Sequence, residues 1–329
     1  MEPNPVLSIL QIAGGYCLSR CLHVVADLGV ADALDDTPRT SDDLATAVGA
    51  HPDALGRALR LLAAHGVFEC HGDKFGHSAA SRLLRTDHPS SLRAFARMFG
   101  LPVCWATSGA LEHSLRTGQP AADKGYPGGF WAYLADQPDA GSIFNAAMEG
   151  KAHGQVAGVV AAYDFAGFRR IGDIGGGRGH LLRAILGAAP HAAGVLFDLP
   201  HVVAEVAGTA PERLTVQGGD FFNDALPSCD AYLVMEVIHD WGDAESVAIL
   251  RAIGRAALPQ AKLLLIEQIV PDDPGPDWTK TLDIHMLALL GGRQRTRLEY
   301  KALLDKADFS LARVIDVPAG ISILEATPK

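Results

Sequence analysis

Apolar residues change their period near the middle of the chain. Through about residue 95 they recur at helical spacing with capping signals and one short hairpin. Residues 6–34 are apolar on more than one face, interrupted by Arg20, His23 and Asp27, which predicts burial against another element or another chain. A capped start at Thr40 opens one helix, and a turn over residues 49–52 leads to a second that stops at Gly66. Residues 67–70 and 71–75 form a hairpin around a glycine turn, flanked by His71 and His77, which are expected to be solvated, and together these elements predict a winged helix. Its would-be recognition helix, 53–65, offers only Arg57 and Arg60 to a nucleic-acid groove, so a packing or dimerisation module is the better reading.

From about Phe165 onward short apolar runs alternate with amphipathic stretches. Strands are expected at 171–174, 194–198, 214–217, 231–235 and 262–269, with a helix at 243–258 among the connections. That alternation predicts an α/β fold: a parallel sheet with right-handed crossovers and helices on both faces. The ending, 312–317 and 321–326 across Ala319-Gly320, reads as a hairpin whose last strand is antiparallel. Three regions follow: 1–95 winged helix, 96–164 helical linker and substrate-pocket region, and 165–329 ligand-binding catalytic domain.

A chain of 329 residues can bury a large core and hold two domains. Its net charge of -10 argues against a nucleic-acid partner. The five cysteines form no C-x-x-C pair and no zinc spacing, so reduced thiols, a cytoplasmic setting and no metal are expected. The start MEPNP has no early Lys or Arg, and the uncharged run 5–19 falls short of the ~20 residues of a membrane helix, so no membrane partner is expected.

Candidate chemistry collects at the carboxyl ends of the expected strands, where open α/β sheets bind ligands. Residues 171–180 read IGDIGGGRGH. A dinucleotide fingerprint would place a third glycine where His180 stands; the chain has Gly175, Gly177 and Gly179 instead, and no phosphate-cradling loop. A nucleoside without phosphates suits this loop, S-adenosylmethionine being the common one, although a bare strand-to-helix turn accounts for the glycines equally well. Asp198, ending the next strand, stands where an acidic residue meets a ribose diol and favours the ligand. Gly219, Asp220, Phe221 and Phe222 suit an adenine, with a carboxylate for its amine and a ring for its face; the alternative is an Asp-led loop whose aromatics plug the core. His239 and Asp240 follow the fourth strand, and Glu267 lies on the fifth.

These residues resemble the S-adenosylmethionine-dependent small-molecule O-methyltransferases of the plant caffeate and bacterial polyketide or phenazine type. DIGGGRG at 173–179, FDLP at 197–200, GDFF at 219–222, HDW at 239–241, Glu267 with Pro271, and GGRQRT at 291–296 occur in the family's order over nearly the whole chain. The resemblance implies a Rossmann-like class I methyltransferase sheet behind a winged-helix dimerisation domain, a homodimer, and S-adenosyl-L-homocysteine as product. It assigns Gly175, Asp198, Asp220 and Phe221 to the cofactor, with their motif neighbours Asp173, Gly177, Leu199, Gly219 and Phe222 expected beside them. His239 becomes the general base toward a small hydroxylated aromatic, oriented by Glu267. Asp240 either assists or caps the helix that starts near Asp243.

Phe144, Asn145 and Met148 match a family stretch that packs on the acceptor, and Met286 with His285 is expected to face the same pocket. Departures are equally specific. Gln294 replaces a second glutamate flanking the base, so Glu267 is expected to act alone; a cofactor lysine is replaced by Met235 or Glu236; and Lys151 stands in place of a histidine. A proton acceptor titrating near ~6.5 suits a phenol of pKa ~10. Relatives with decarboxylating, hydroxylating or ring-forming chemistry are the rival reading, and a ligand-sensing winged-helix regulator a weaker one.

Overall fold

The computed structural model describes residues 4–318 and 320–329. The chain forms two compact units, one running through Ala106 with Trp131–Lys151 added, the other comprising Thr107–Phe130 and Ala152–Lys329. The division between the two units falls within the expected linker, 96–164. Helix Pro138–Ala162 supplies both: Phe144 meets Trp131 edge-on at 5.6 Å in the first unit, and Val159 is fully buried with Tyr163 and Phe165 in the second. Helical spacing shows that a face is buried but not which core buries it.

In the first unit, Thr40 caps helix Ser41–Val48 by accepting the Asp43 N–H, and Gly49 ends that helix in the left-handed region. Helix Pro52–Ala64 follows. Strands β1 (Arg39–Thr40), β2 (Phe68–His71) and β3 (Lys74–His77) make a small antiparallel sheet in the order β1-β3-β2. Leu44, Leu59, Leu62, Phe68 and Phe75 fill the core beneath it. His77, expected to be solvated beside the wing, is instead buried with Nδ1 3.0 Å from Ser81 Oγ, and burial lowers its pKa. His71 does face solvent, 3.1 Å from Glu69.

The apolar N-terminal stretch breaks at Gly14 into helices Pro5–Ala13 and Gly15–Leu28, bent by 44°. The second buries His23, Val25 and Ala26; the first buries nothing, and Val6, Leu7, Ile9, Leu10 and Ile12 are all exposed. Among the described residues no single helix is long and apolar enough to cross a membrane.

The second unit is built on a seven-stranded sheet of β4 (Arg170–Ile174), β5 (Ala193–Asp198), β6 (Leu214–Gly218), β7 (Ala231–Met235), β8 (Lys262–Glu267), β9 (Phe309–Val317) and β10 (Ile321–Pro328). The order is β6-β5-β4-β7-β8-β10-β9; β4 to β8 are parallel, and β10 runs antiparallel to both neighbours. Alternate residues of one strand feed two cores. On β7, Tyr232 and Val234 join Ile249, Ile253 and Leu304 on one face, while Ala231 and Leu233 join Leu182, Ile185 and Val159 on the other. Burial on both faces explains why these strands read as continuous apolar runs.

One inner strand boundary differs from expectation. The strand expected to reach 269 ends at Glu267, because Ile269 turns away to bridge Arg295. In the closing hairpin Ile321 pairs with Val317, and Ala319 lies outside the described residues. Chain order reverses between β4 and β7, so the crevice of this sheet opens at their carboxyl ends.

Candidate active site

The loop after β4 is shaped by its glycines. Gly175, Gly177 and Gly179 have φ of 70°, 57° and 73°, where a side chain is strained. A Cβ on Gly176 would run into Asp173 and Leu196, whereas one on Gly177 would meet nothing within 4 Å. The loop is thus closed toward the sheet and open on its outer side, and helix His180–Ala188 follows directly.

Two carboxyl groups flank that opening. Asp173 is 1% exposed, its Oδ1 has no hydrogen-bond partner, and its pKa is pushed up to about 7, first by burial and then by the charge of Asp198. Asp198 accepts the Gly177 N–H at 2.8 Å on Oδ2 and the Leu199 N–H at 2.7 Å on Oδ1. Burial raises its pKa against the pull of those two donors. Each oxygen keeps a second lone pair for an incoming hydroxyl.

The end of β6 is tied to the end of β5: the Gly219 N–H donates to Asp198 O at 3.0 Å, and a Cβ there would lie 2.7 Å from the Phe197 ring. Asp220 shapes its own turn, accepting from the Phe222 N–H at 2.9 Å and from Asn223 Nδ2 at 2.6 Å. Phe221 packs partly on the core, as the alternative reading held, while Phe222 is exposed. Both rings meet Trp241 edge-on, at 5.8 and 4.8 Å, an aromatic cluster that the sequence did not announce.

His239 occupies a 3₁₀ turn just after β7 and is 7% exposed. Its Nε2 lies 3.3 Å from Asp240 Oδ1. Asp240 is therefore beside the imidazole and is not the cap of helix Asp243–Ala256, whose N-cap is Gly242. On the other ring nitrogen the expected order of partners is reversed. The Gln294 side-chain amide lies 2.7 Å from Nδ1, while Glu267 Oε2 stands at 3.8 Å, beyond hydrogen-bonding reach. Glu267 is fully buried and its Oε1 accepts the Ile238 N–H at 2.9 Å. Burial, then the charges of Glu236 and Asp240, push its pKa well up. Glu236, at φ 51°, accepts from Gln268 Nε2 at 2.7 Å.

Sequence reasoning missed what holds this turn. The loop from Gly291 to Thr296 grips it at several points. The Arg293 N–H donates to His239 O at 2.9 Å, and a Cβ on Gly292 would run into that same carbonyl. Arg295, 1% exposed, donates to the carbonyls of Ile238 at 3.1 Å and Trp241 at 3.0 Å, to Ser246 Oγ at 3.3 Å, and to Asp243 at 2.9 Å. The Gln294 N–H in turn donates to Asp283 Oδ1 at 2.8 Å on helix Trp278–Leu290. An arginine between glutamine and threonine reads as surface, so only the fold reveals it.

The expected acceptor-side residues divide. Met286 is buried on that helix, which packs against the His239 turn, and burial lowers the His285 pKa to about 4. Phe144, Asn145 and Met148 are half-buried on the part of helix Pro138–Ala162 that belongs to the first unit.

The open notch at Gly177, the unpartnered Asp173 oxygen and the spare lone pairs of Asp198 fit a nucleoside carrying a diol and a cationic tail. Comparison with known proteins agrees. The family model of the O-methyltransferase domain matches residues 109–310, and that of the O-methyltransferase dimerisation domain matches 10–87. A phenazine O-methyltransferase of Lysobacter antibioticus is 40% identical, over 98% of this chain and 97% of its own. The mitomycin biosynthesis 6-O-methyltransferase of Streptomyces lavendulae is 38% identical, over 95% and 91%. The crystal structure of a methyltransferase of calicheamicin biosynthesis, with S-adenosyl-L-homocysteine bound, superposes with a TM-score of 0.88 at 32% identity, covering 100% of both chains. The chain belongs to the S-adenosylmethionine-dependent O-methyltransferase family, complete with that family's dimerisation domain.

Proposed function

We propose that the protein methylates a phenolic hydroxyl of a small aromatic secondary metabolite, working as a homodimer with His239 as general base. The observation that carries this reading is the placement of His239. It lies almost buried at the carboxyl edge of the sheet, on the turn after β7, the neighbour of β4 and its glycine loop, with Gln294 and Asp240 at its two ring nitrogens. The phenazine named for the Lysobacter relative supports the substrate class.

When bound, S-adenosylmethionine supplies a methyl group already activated by its sulfonium, so this chain's residues need only bind, align and remove a proton. Asp198 takes the ribose hydroxyls, with Leu199 beside it. Gly175, Gly177 and Gly219 let the ligand approach the backbone, and Asp173 faces its cationic end. Asp220 reads the adenine amine, with Phe221 and Phe222 against the base. His239 Nε2 accepts the phenolic proton as the oxygen takes the methyl. Asp240 stabilises the resulting imidazolium, and Glu267 fixes the turn through the Ile238 N–H. Met286, on the helix packed against the His239 turn, faces the acceptor.

The test is methyl transfer from labelled S-adenosylmethionine to a panel of hydroxylated phenazines, naphthoates and benzoates. Product heavier by one methyl at oxygen is expected. His239→Ala should lower turnover ~10²–10⁴-fold while leaving S-adenosyl-L-homocysteine affinity intact. Full turnover in that variant refutes the base, and a product lacking the methyl refutes the reaction.

A further inference from the structure

The amide of Gln294 faces a ring nitrogen of His239, and which of its ends does so decides the chemistry of the other nitrogen. A neutral imidazole carries one proton. If the Gln294 NH₂ donates to Nδ1, that proton must sit on Nε2, and His239 has no lone pair there to accept anything. If the amide is turned by half a rotation, its carbonyl accepts from Nδ1–H and Nε2 is bare. The two orientations have nearly the same shape. At 2.7 Å the amide is in hydrogen-bonding contact either way. Its far end, Oε1 in the structure, is buried with no hydrogen-bond partner, so no second contact of the side-chain amide locks one orientation. The backbone is held, by contrast, through the Asp283 carboxylate.

We propose that Gln294 is the positioning residue that selects the tautomer of His239: carbonyl toward Nδ1 makes Nε2 a base, and NH₂ toward Nδ1 disables it. This rests on the reading of His239 as base and adds the device that switches it. Of the contacts described at the ring, that of Gln294 is the shortest. Glu267 keeps Oε1 on the Ile238 N–H, and its unpartnered Oε2 stands 3.8 Å from Nδ1, beyond hydrogen-bonding reach. Burial raises its pKa. Asp240, 3.3 Å from Nε2, pulls the other way and favours Nε2–H. The charge of Glu236 acts on Glu267. Arg295 spends its guanidinium on Ile238 O, Trp241 O and Asp243, and Arg293 pairs with Glu299 at 2.6 Å. An amide at this position also adds no negative charge beside the ring.

Selective ¹⁵N-histidine labelling of the full chain saturated with S-adenosyl-L-homocysteine tests this without an acceptor. The His239 signals are assigned by their loss in His239→Asn. The wild type should show Nδ1–H with Nε2 bare. Gln294→Met, similar in length and unable to hydrogen-bond through an amide, should shift the ring toward Nε2–H under the pull of Asp240. Gln294→Glu can only accept once ionised, so it should keep Nδ1–H and raise the imidazole pKa by about one unit or more. With any panel acceptor that turns over, the acidic limb of the kcat profile should rise with it in Gln294→Glu. Nε2–H in the wild type, or a tautomer and pKa indifferent to both substitutions, overturns the proposal. Failure of every acceptor in the panel would sink the function reading and leave these spectra standing.

Discussion

Replacing Arg295 by methionine tests whether the His239 turn is held by that guanidinium or merely lies beside it. Methionine fills the stem's volume, so the change isolates the head group. Two backbone carbonyls, Ile238 O and Trp241 O, and the Ser246 hydroxyl lose a charged donor in a region closed to water. The Ile238 carbonyl belongs to a fully buried residue and cannot turn to solvent. A buried acceptor left unmade costs about 1–3 kcal/mol. The Asp243 pair adds little, since that carboxylate is 45% exposed and screened. The loss should be about 3 kcal/mol, read as a shift in the urea midpoint at unchanged slope. Turnover should fall further than stability explains, because a catalytic group displaced by about 1 Å can lose ~10²-fold. Arg295→Lys keeps the charge but not the fork, and should recover part of the stability and little of the turnover. A midpoint within about 0.5 kcal/mol of wild type in the methionine variant would refute the clamp.

Three further outcomes follow from the same geometry. Burial holds Asp173 at about 7 against the ordinary 3.8, so between these values the folded ligand-free chain binds the extra proton and loses stability as pH rises from about 4 to about 7. Asp173→Asn should abolish that slope and be the more stable form at pH 8, by up to ~4 kcal/mol; parallel urea curves at pH 4 and 8 would contradict it. Asp198→Ala should weaken S-adenosyl-L-homocysteine by about tenfold or more in calorimetry, through loss of charge-assisted ribose contacts, and undiminished affinity would remove it from the site. Gly292→Ala forces a Cβ against the His239 carbonyl and 2.6 Å from the Asp240 carbonyl carbon, so the loop must retreat. About 1–3 kcal/mol of stability and most of the turnover should go while cofactor affinity stays, and a variant with wild-type kinetics would show that the contact is slack.

The sheet was readable in advance because both its faces are covered: β7 and β8 have no polar alternation to disguise them, and glycines or acids mark their carboxyl ends. The glycine loop, Asp198 and His239 were readable for the same reason, since each stands where a strand stops. What escaped was contact across long separations. Nothing local tells that Arg295 folds back onto Ile238 and Trp241, or that Gln294 reaches Nδ1 before Glu267 does. The aromatic trio escaped likewise, because Trp241 and the Phe221–Phe222 pair lie on different loops. His77 was misjudged because a histidine near a hairpin tip gives no sign that Ser81 waits behind it. The long helix of the expected linker crosses the division between the units and places Val159 in the core of the second.

Helix Pro5–Ala13 contributes five uncovered aliphatic side chains and no interior ones to its own chain. Water must wet that ridge whenever a polypeptide is alone, and any mate that shelters it makes folding a second-order event. Melting temperature then climbs with protein concentration, and dilution by itself becomes a denaturant.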